Sequence, residues 1–356
     1  MASRRRPDWP KVALALANAI PRTRLHPRVL AWVAARKRHR RWAVGFSGGS
    51  DSVALLLLVW AHWPERRERL MALHFDHRLR GAASAADARF CASVCRGLDI
   101  PLRTGRWTGR RPKEGISEAD AREARHAFFA DELRRARSDT LWLGHQQDDV
   151  AETLLMRLAR GSGPGGLSAP RPVQAFRGRV LLRPLLGLKR RALVEALEAS
   201  GATWREDASN QRADYFRNRV RQKVLPAWVE AAGRDAVAGA ALSRDRLEED
   251  DAALEHWLDE LAPIDRDGVL WLDRLEGRPA ALWRRALHRW LLAHPTAGEL
   301  SRHGFEELLS KLRAGSATRF SLGRAAFAKI SGRQLRFERN TAKPNRRSTV
   351  LQGSSR

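Results

Sequence analysis

The sequence predicts an α/β fold, a doubly wound parallel sheet, followed by a helical linker and a small α+β domain. Three observations predict it. Between residues 41 and 225, short apolar runs alternate with helix-length segments, the pattern of a parallel sheet covered on both faces by helices. Within that stretch, Ser47-Gly48-Gly49-Ser50-Asp51-Ser52 separates an apolar run at 42–46 from a continuously apolar run starting at Val53, as a strand, a glycine turn and a helix N-terminus would. Beyond residue 262 the order changes to two helical segments and then two extended ones.

The elements follow in order. Residues 1–40 are expected to be a basic helical lead-in, with Leu14, Leu16 and Ile20 as its apolar surface and a charged run at 36–41. The strand at 42–46 feeds a helix over 52–63, with Ser and Asp placed to cap it. A strand runs from Leu70 to Phe75, a helix covers 84–97, and Pro101 and Leu102 begin a short extended piece. A helix over 118–136, a strand from Thr140 to Leu143 and a helix over 147–159 complete the expected α/β pattern of a domain spanning 41–225. The run Gly161 to Gly166 reads equally well as a plain linker or as a mobile binding element. Residues 226–262 are expected to be a helical linker that starts after Pro226 and carries Leu242, Leu247, Leu254 and Leu258. In 263–338, helices near 279–293 and 301–313 precede extended segments near 318–322 and 325–338, the second turning at Ser331-Gly332. The tail at 339–356 is polar and basic, and is expected to be disordered.

Composition narrows the function classes. With 66 Lys and Arg against 40 Asp and Glu, the formal net charge is +26, which favours a polyanionic partner. Most of these cations are Arg, which a GC-rich genome also produces, so the charge supports nucleic-acid binding without establishing it. The two cysteines, Cys91 and Cys95, lie one helical turn apart. They cannot build a disulfide scaffold, and cysteine alone supplies no zinc or iron–sulfur ligand set, so reduced buried thiols in a cytoplasmic protein are expected. No membrane partner is expected. Val53 to Trp63 is too short for the ~20 residues a span needs, and Pro7, Asp8, Trp9 and Pro10 interrupt any signal-peptide core.

Four segments carry chemistry. At Ser47–Ser52 the glycines let a backbone approach an anion, and the N–H groups of a helix start point at it; no Lys follows, so this is not a Walker A loop. In Gly144-His145-Gln146-Gln147-Asp148-Asp149-Val150-Ala151-Glu152-Thr153, positions 145, 149 and 152 would share a helix face. Carboxylates that close require a cation: Mg²⁺, a substrate ammonium or a neighbouring Arg. The plainer reading is a solvated acidic helix start, but Val150, Leu154 and Leu158 on the opposite side argue for a fixed scaffold. In the third segment, Ile116–Arg125, Arg122 and Arg125 could grip phosphate, although a surface Arg pair explains them as well. In the fourth, Trp204–Asn210 with Asp214–Arg221, Arg217 and Arg221 stand at i, i+4, either as a paired anion grip or as an ordinary basic face. The first two segments and the His74–His77 stretch follow strands, so they are expected to meet at the carboxyl edge of the sheet.

In this order the segments resemble the tRNA(Ile)-lysidine synthases, a family of PP-loop ATP pyrophosphatases. The resemblance runs from Trp42 to Pro226. It also includes Asp76-His77-Arg78-Leu79-Arg80, Arg160–Gly163 with Gly166-Leu167, and Val224-Leu225-Pro226. Departures are modest: Arg78 stands where Gly is usual, Gln146 for a second His, Ala208 for Pro and His126 for Tyr. The resemblance implies an ATP-dependent ligase that joins free L-lysine to C2 of the wobble cytidine of an isoleucine tRNA, releasing AMP and pyrophosphate. It implies Ser47, Gly48, Gly49, Ser50, Asp51 and Ser52 on the ATP phosphates, Asp51 on Mg²⁺, and Arg122 or Arg125 on ATP. Asp51, His145, Asp149 and Glu152 would be catalytic, Asp149 and Glu152 would face the lysine ammonium groups, and Arg217 and Arg221 would contact tRNA or the lysine carboxylate. The domain at 263–338 would contact tRNA. The competing expectations are a tRNA thiolase or another RNA-modifying ATP pyrophosphatase, a small-molecule amide or amidine ligase, and an RNA-binding protein with a degenerate nucleotide fold.

Overall fold

The central strands are apolar on both sides, and the reason is visible in what each side touches. The computed structural model describes residues 7–36, 40–76, 82–107, 118–176, 178–206, 215–294, 300–323 and 326–339. It divides into two units, 1–248 and 249–356.

In the first unit, helices α1 (Trp9–Ala19) and α2 (Pro27–Ala34) precede β1 (Trp42–Gly45), α3 (Ser50–His62) and β2 (Leu70–Asp76). Next come α4 (Ala82–Gly97), β3 (Leu102–Arg106), α5 (Glu118–Arg135), β4 (Thr140–Trp142) and α6 (Gln147–Leu158). A short α7 (Pro164–Leu167), the hairpin β5 (Val173–Phe176) and β6 (Arg179–Leu182), and α8 (Arg190–Ala199) follow. The unit ends with α9 (Phe216–Arg219), α10 (Leu225–Ala232) and the start of α11 (Ala236–Leu261).

The six-stranded sheet has the order β3-β2-β1-β4-β6-β5. It is parallel except for the β5–β6 pair. Trp42, Val44, Leu70, Ala72, Trp142 and Leu182 face one core, which α1, α3, α4 and α8 cover. Their neighbours Ala43, Met71, Leu73, Leu141 and Leu181 face the other, against Phe129 and Leu133 of α5. Alternate residues therefore go to opposite apolar layers, which is why the strands read as continuous apolar runs. Every residue of α3 from Ser52 to Trp60 is buried, so α3 is a central helix and not an amphipathic one.

The structure adds to the sequence expectations in several places. The helical lead-in packs into the main core through more than its expected apolar surface: Trp9, Val12, Leu16 and Val29 are buried with α3. The hairpin β5–β6 and helices α7 and α8 had no counterpart in the sequence reading. The helical stretch from 226 breaks at Gly233, whose φ of 58° is left-handed and closes α10.

The second unit contains the rest of α11, β7 (Leu270–Trp271), α12 (Ala280–Leu292), α13 (Arg302–Arg313), β8 (Thr318–Gly323), β9 (Ala326–Ser331) and β10 (Gln334–Arg339). Its antiparallel sheet has the order β7-β10-β9-β8, packed around Leu282, Leu287, Trp290, Leu308 and Leu312. The expected turn at Ser331-Gly332 joins β9 to β10. Among the described residues no helix is long and apolar enough to cross a membrane.

A charged cluster links the start of α2 to α11. His26 caps α2, its Nδ1 accepting from Arg28 N–H at 3.3 Å. Glu248 is clamped by Arg28 at 2.8 Å and Arg244 at 2.7 Å. Burial, with Arg244 and Arg28 against the attraction of Glu248, lowers the His26 pKa to about 4. A folded-state pKa below the unfolded one gives stability that is full above pH ~6.5 and is lost as the pH falls toward 4, about 2 kcal/mol of it by pH 5. His26→Asn keeps an N-cap acceptor and removes the titration. Its unfolding free energy is expected to fall about 2 kcal/mol less than wild type between pH 7.5 and 5 in urea melts. A parallel fall in both proteins contradicts this.

Candidate functional site

The chain leaves β1 toward β2 and β3 on one side, then returns to β4 on the other side of β1. This switch point opens a crevice at the carboxyl ends of β1 and β4, where open α/β sheets bind ligands. A cavity of about 430 Å³ lies there. Ser47, Asp51, Ser52, Arg122, Arg125, His145, Asp149 and Arg183 all line it. Of the residues singled out in sequence, the structure thus gathers those of three separate segments at one edge.

The loop after β1 is tied from within. Ser52 Oγ accepts from the N–H groups of Ser47 (3.2 Å) and Gly48 (3.0 Å) and donates to the Gly49 carbonyl (2.9 Å). These two N–H groups therefore shape the loop. The first turn of α3, which begins at Ser50 without a side-chain cap, leaves N–H groups that could receive an anion. Ser50 and Asp51 lie inside that turn and do not cap it, contrary to the expected cap. Gly48 has φ +91°, a left-handed turn that needs glycine. Arg205 closes the loop from outside: its N–H donates to the Gly48 carbonyl at 2.9 Å and its side chain pairs with Asp87 of α4 at 2.9 Å. Burial and the neighbouring Asp149 raise the Asp51 pKa to about 6, so an added cation would favour its charged form.

His145 precedes α6 and does not stand on it. Gln146 is the N-cap; its side chain accepts from Asp148 N–H at 2.6 Å while Asp149 Oδ2 accepts from Gln146 N–H at 3.0 Å. Asp149 and Glu152 share a face, as their spacing predicts, and the cation they require is supplied by the protein. Arg217 reaches Asp149 at 2.7 Å and Glu152 at 2.8 Å; Arg221 reaches Glu152 at 2.5 Å and Asp149 at 3.4 Å. Glu152 is buried beneath both guanidinium groups. Burial opposes ionisation of Asp149, but Arg217, His145, the Gln146 N–H and Arg221 together outweigh it and hold the carboxyl below its usual range. A π-helical turn at Val220–Val224 separates α9 from α10, just before Pro226, whose ring would clash with a continuing α-helical carbonyl.

Sequence reasoning missed Arg183. It follows β6, is buried, and donates from Nε to His145 Nδ1 at 3.1 Å. An Arg directly after the apolar strand Val180–Leu182, at the carboxyl edge, was the available signal. Burial, with Arg122 and Arg244, lowers its pKa to about 10. His145 is held below its ordinary pKa chiefly by burial; Asp149 opposes the lowering, and Arg183, Arg217 and Arg125 add to it. Cys91 and Cys95 are buried; burial pushes the Cys95 pKa up to about 12 and Cys91 further. Segments 77–80, 116–117 and 207–214, which carried part of the resemblance, lie outside the described residues.

Residues 22–228 match the PP-loop domain family. The chain belongs to that family. A tRNA(Ile)-lysidine synthase of Symbiobacterium thermophilum is 41% identical over 60% of this chain and 45% of its own length. One from Geobacter sulfurreducens is 37% identical over 75% of this chain and 58% of its own length. The chain thus spans about half the length of these curated relatives. Among solved structures, a U34-tRNA thiolase from Methanococcus maripaludis matches with a TM-score of 0.49 and 16% identity, over 67% of this chain and 78% of that one.

Gly144 is where the second site segment meets the PP loop. A Cβ there would lie 2.7 Å from the Asp51 carbonyl oxygen, a backbone atom that cannot step aside. Gly144→Ala is expected to cost about 1–3 kcal/mol of stability and, by displacing α3 from β4, about 100-fold in ATP-dependent turnover. Thermal melts and steady-state kinetics check both; an unchanged turnover contradicts the close packing of the two loops.

Proposed function

We propose that this PP-loop protein is a tRNA(Ile)-lysidine synthase. It ligates the ε-amine of L-lysine to C2 of the wobble cytidine of the CAU-anticodon isoleucine tRNA, at the expense of ATP. The observation that carries the reading is the meeting of the Ser47–Ser52 loop with His145 and Asp149 in one cavity, in a chain whose curated relatives bear that name.

In the proposed first step, cytidine O2 bonds to the α-phosphorus of ATP as the bond to pyrophosphate breaks. The carbonyl oxygen, a poor leaving group, becomes part of a good one. In the second step the amine bonds to C2, the C2–O bond breaks, AMP leaves, and one amine proton is released. The first turn of α3 supplies N–H donors to the phosphates, with Arg122 and Arg125 at the cavity wall. Asp149, the member of the acidic pair that lines the cavity, faces the lysine ammonium and relays its proton. Glu152 acts from behind, holding Arg217 and Arg221 toward the lysine carboxylate or tRNA.

Asp51 is the residue that would hold Mg²⁺. Among the described residues no three His, Cys, Asp or Glu side chains cluster as a metal site. Mg²⁺ takes one or two carboxylates together with substrate phosphates. Bound there, it would neutralise phosphate charge. The second unit, with the basic balance of the chain, is proposed to contact tRNA.

The test is the nucleotide product. AMP and pyrophosphate are expected only when lysine and the isoleucine tRNA are both present, and ADP formation overturns the reading. The thiolase alternative needs reactive cysteines, whereas both thiols here are buried and protonated. Cys91→Ser with Cys95→Ser is therefore expected to retain turnover within about threefold in folded protein. A loss above tenfold would favour the alternative.

A further inference from the structure

Arg183 is the buried cation at the cavity wall that the mechanism above leaves without a task. It is 4% exposed. Nη1 donates to the Arg171 carbonyl at 2.7 Å and to Gln174 Oε1 at 3.0 Å, which anchors the guanidinium. Nε then donates to His145 Nδ1 at 3.1 Å. A guanidinium has donors only and keeps its charge at neutral pH. The Nδ1 it faces must therefore present a lone pair, so the imidazole is neutral and its proton sits on Nε2. A protonated ring would set two N–H groups against each other. The hydrogen bond recorded for this ring is the one at Nδ1, and His145 lines the cavity, with Asp149 as its acidic neighbour.

We propose that Arg183 is a positioning residue: it fixes His145 as the Nε2–H tautomer, making that ring a hydrogen-bond donor to an anionic phosphoryl oxygen and not a general base. The inference rests on the adenylation chemistry proposed above. In that step the cytidine O2–phosphorus bond forms while the phosphorus–oxygen bond to pyrophosphate breaks. Pyrophosphate leaves with the electron pair and the cytidine ring takes the positive charge. Negative charge on the phosphoryl oxygens is what a fixed donor stabilises. A ring free to exchange tautomers or to protonate would lose that donor or gain a charge at random.

The test combines spectroscopy with kinetics on the full chain. Long-range proton–nitrogen correlation spectra of ¹⁵N-histidine-labelled protein, with His145 assigned by loss of its signals in His145→Gln, read the tautomer directly. Wild type is expected to show Nε2–H without titration between about pH 5.5 and 8. Arg183→Gln is expected to show mixed tautomers titrating near the ordinary histidine range. Its kcat for AMP formation is expected to fall about 10- to 100-fold, with KM for ATP changed by less than about threefold. Arg183→Lys, which keeps a donor, is expected to recover part of both effects. Gln174→Leu loosens the anchor without touching the cavity, and moves both readouts in the same direction by less. An Nδ1–H or protonated ring in wild type overturns the proposal, as does an unchanged tautomer in both Arg183→Gln and Gln174→Leu. A changed tautomer with unchanged kcat also overturns it. The tautomer is read without substrate, so a protein that behaves as described yet forms no lysidine sinks the proposed function and leaves the role of Arg183 standing.

Discussion

Replacing Asp51 by Ala is expected to lower AMP formation by about 100- to 1,000-fold while tRNA affinity changes by less than about threefold. Asp51 sits in the first turn of α3, beside the loop that Ser52 ties together. Burial and Asp149 oppose ionisation of its carboxyl, and a phosphate-bound cation would draw it into the charged form. Removing it leaves the backbone donors of α3 in place but removes the carboxylate that would hold a cation against the phosphates. Binding of tRNA is proposed to rest on the basic surface, which the substitution does not touch. Steady-state AMP release and equilibrium tRNA binding, measured on the same preparation, separate the two. Equal loss of both would show that Asp51 shapes the tRNA site or the fold and has no special bearing on adenylation.

Replacing Glu152 by Gln is expected to be the most destabilising single change at the site. Glu152 is 1% exposed and accepts from Arg217 and Arg221, so the substitution strands two guanidinium groups at Asp149 alone. Breaking a buried pair from one side costs about 3–5 kcal/mol. The lower end is expected, because the arginine side chains are 26% and 24% exposed and solvent relieves part of the penalty. A loss of about 3 kcal/mol corresponds to a Tm lower by roughly 6–12 °C for a unit of this size. The double substitution of Glu152 with Arg221→Met should recover part of this loss, since it removes the stranded charge together with its partner. If Glu152→Gln instead keeps its Tm and loses only turnover, Glu152 faces substrate lysine directly and the protein's own arginines are not its cation.

The residues that form this site were legible in the sequence to different depths. The parallel sheet could be read because its strands are covered on both faces: Trp42 and Val44 go to one core, Ala43 to the other, and none of the three is polar. The antiparallel edge β5–β6 escaped because Val173–Phe176 and Arg179–Leu182 are only four residues each, and their pairing depends on a neighbour, β4, far away in the chain. The spacing of Asp149 and Glu152 correctly placed both on one face. It could not choose between Mg²⁺, substrate and Arg as their cation, because that choice depends on a segment some seventy residues downstream folding back over α6. His145 was assigned to the same helix face by counting residues. The capping box at Gln146 shows why counting failed, since the helix starts after it. Arg183 stood in no motif, and only the fold brings its Nε to His145.

The Ser47–Ser52 loop is proposed to adenylate a tRNA base for attack by lysine. The most direct measurement is mass spectrometry of the CAU-anticodon isoleucine tRNA after incubation with the protein, ATP, Mg²⁺ and isotopically labelled L-lysine. The label is expected on the anticodon wobble nucleoside, with one water lost for each lysine joined, and omitting ATP or substituting Asp51→Ala is expected to abolish it. Unlabelled tRNA recovered under conditions where ATP is converted to AMP would contradict it, as would sulfur in place of lysine at that nucleoside.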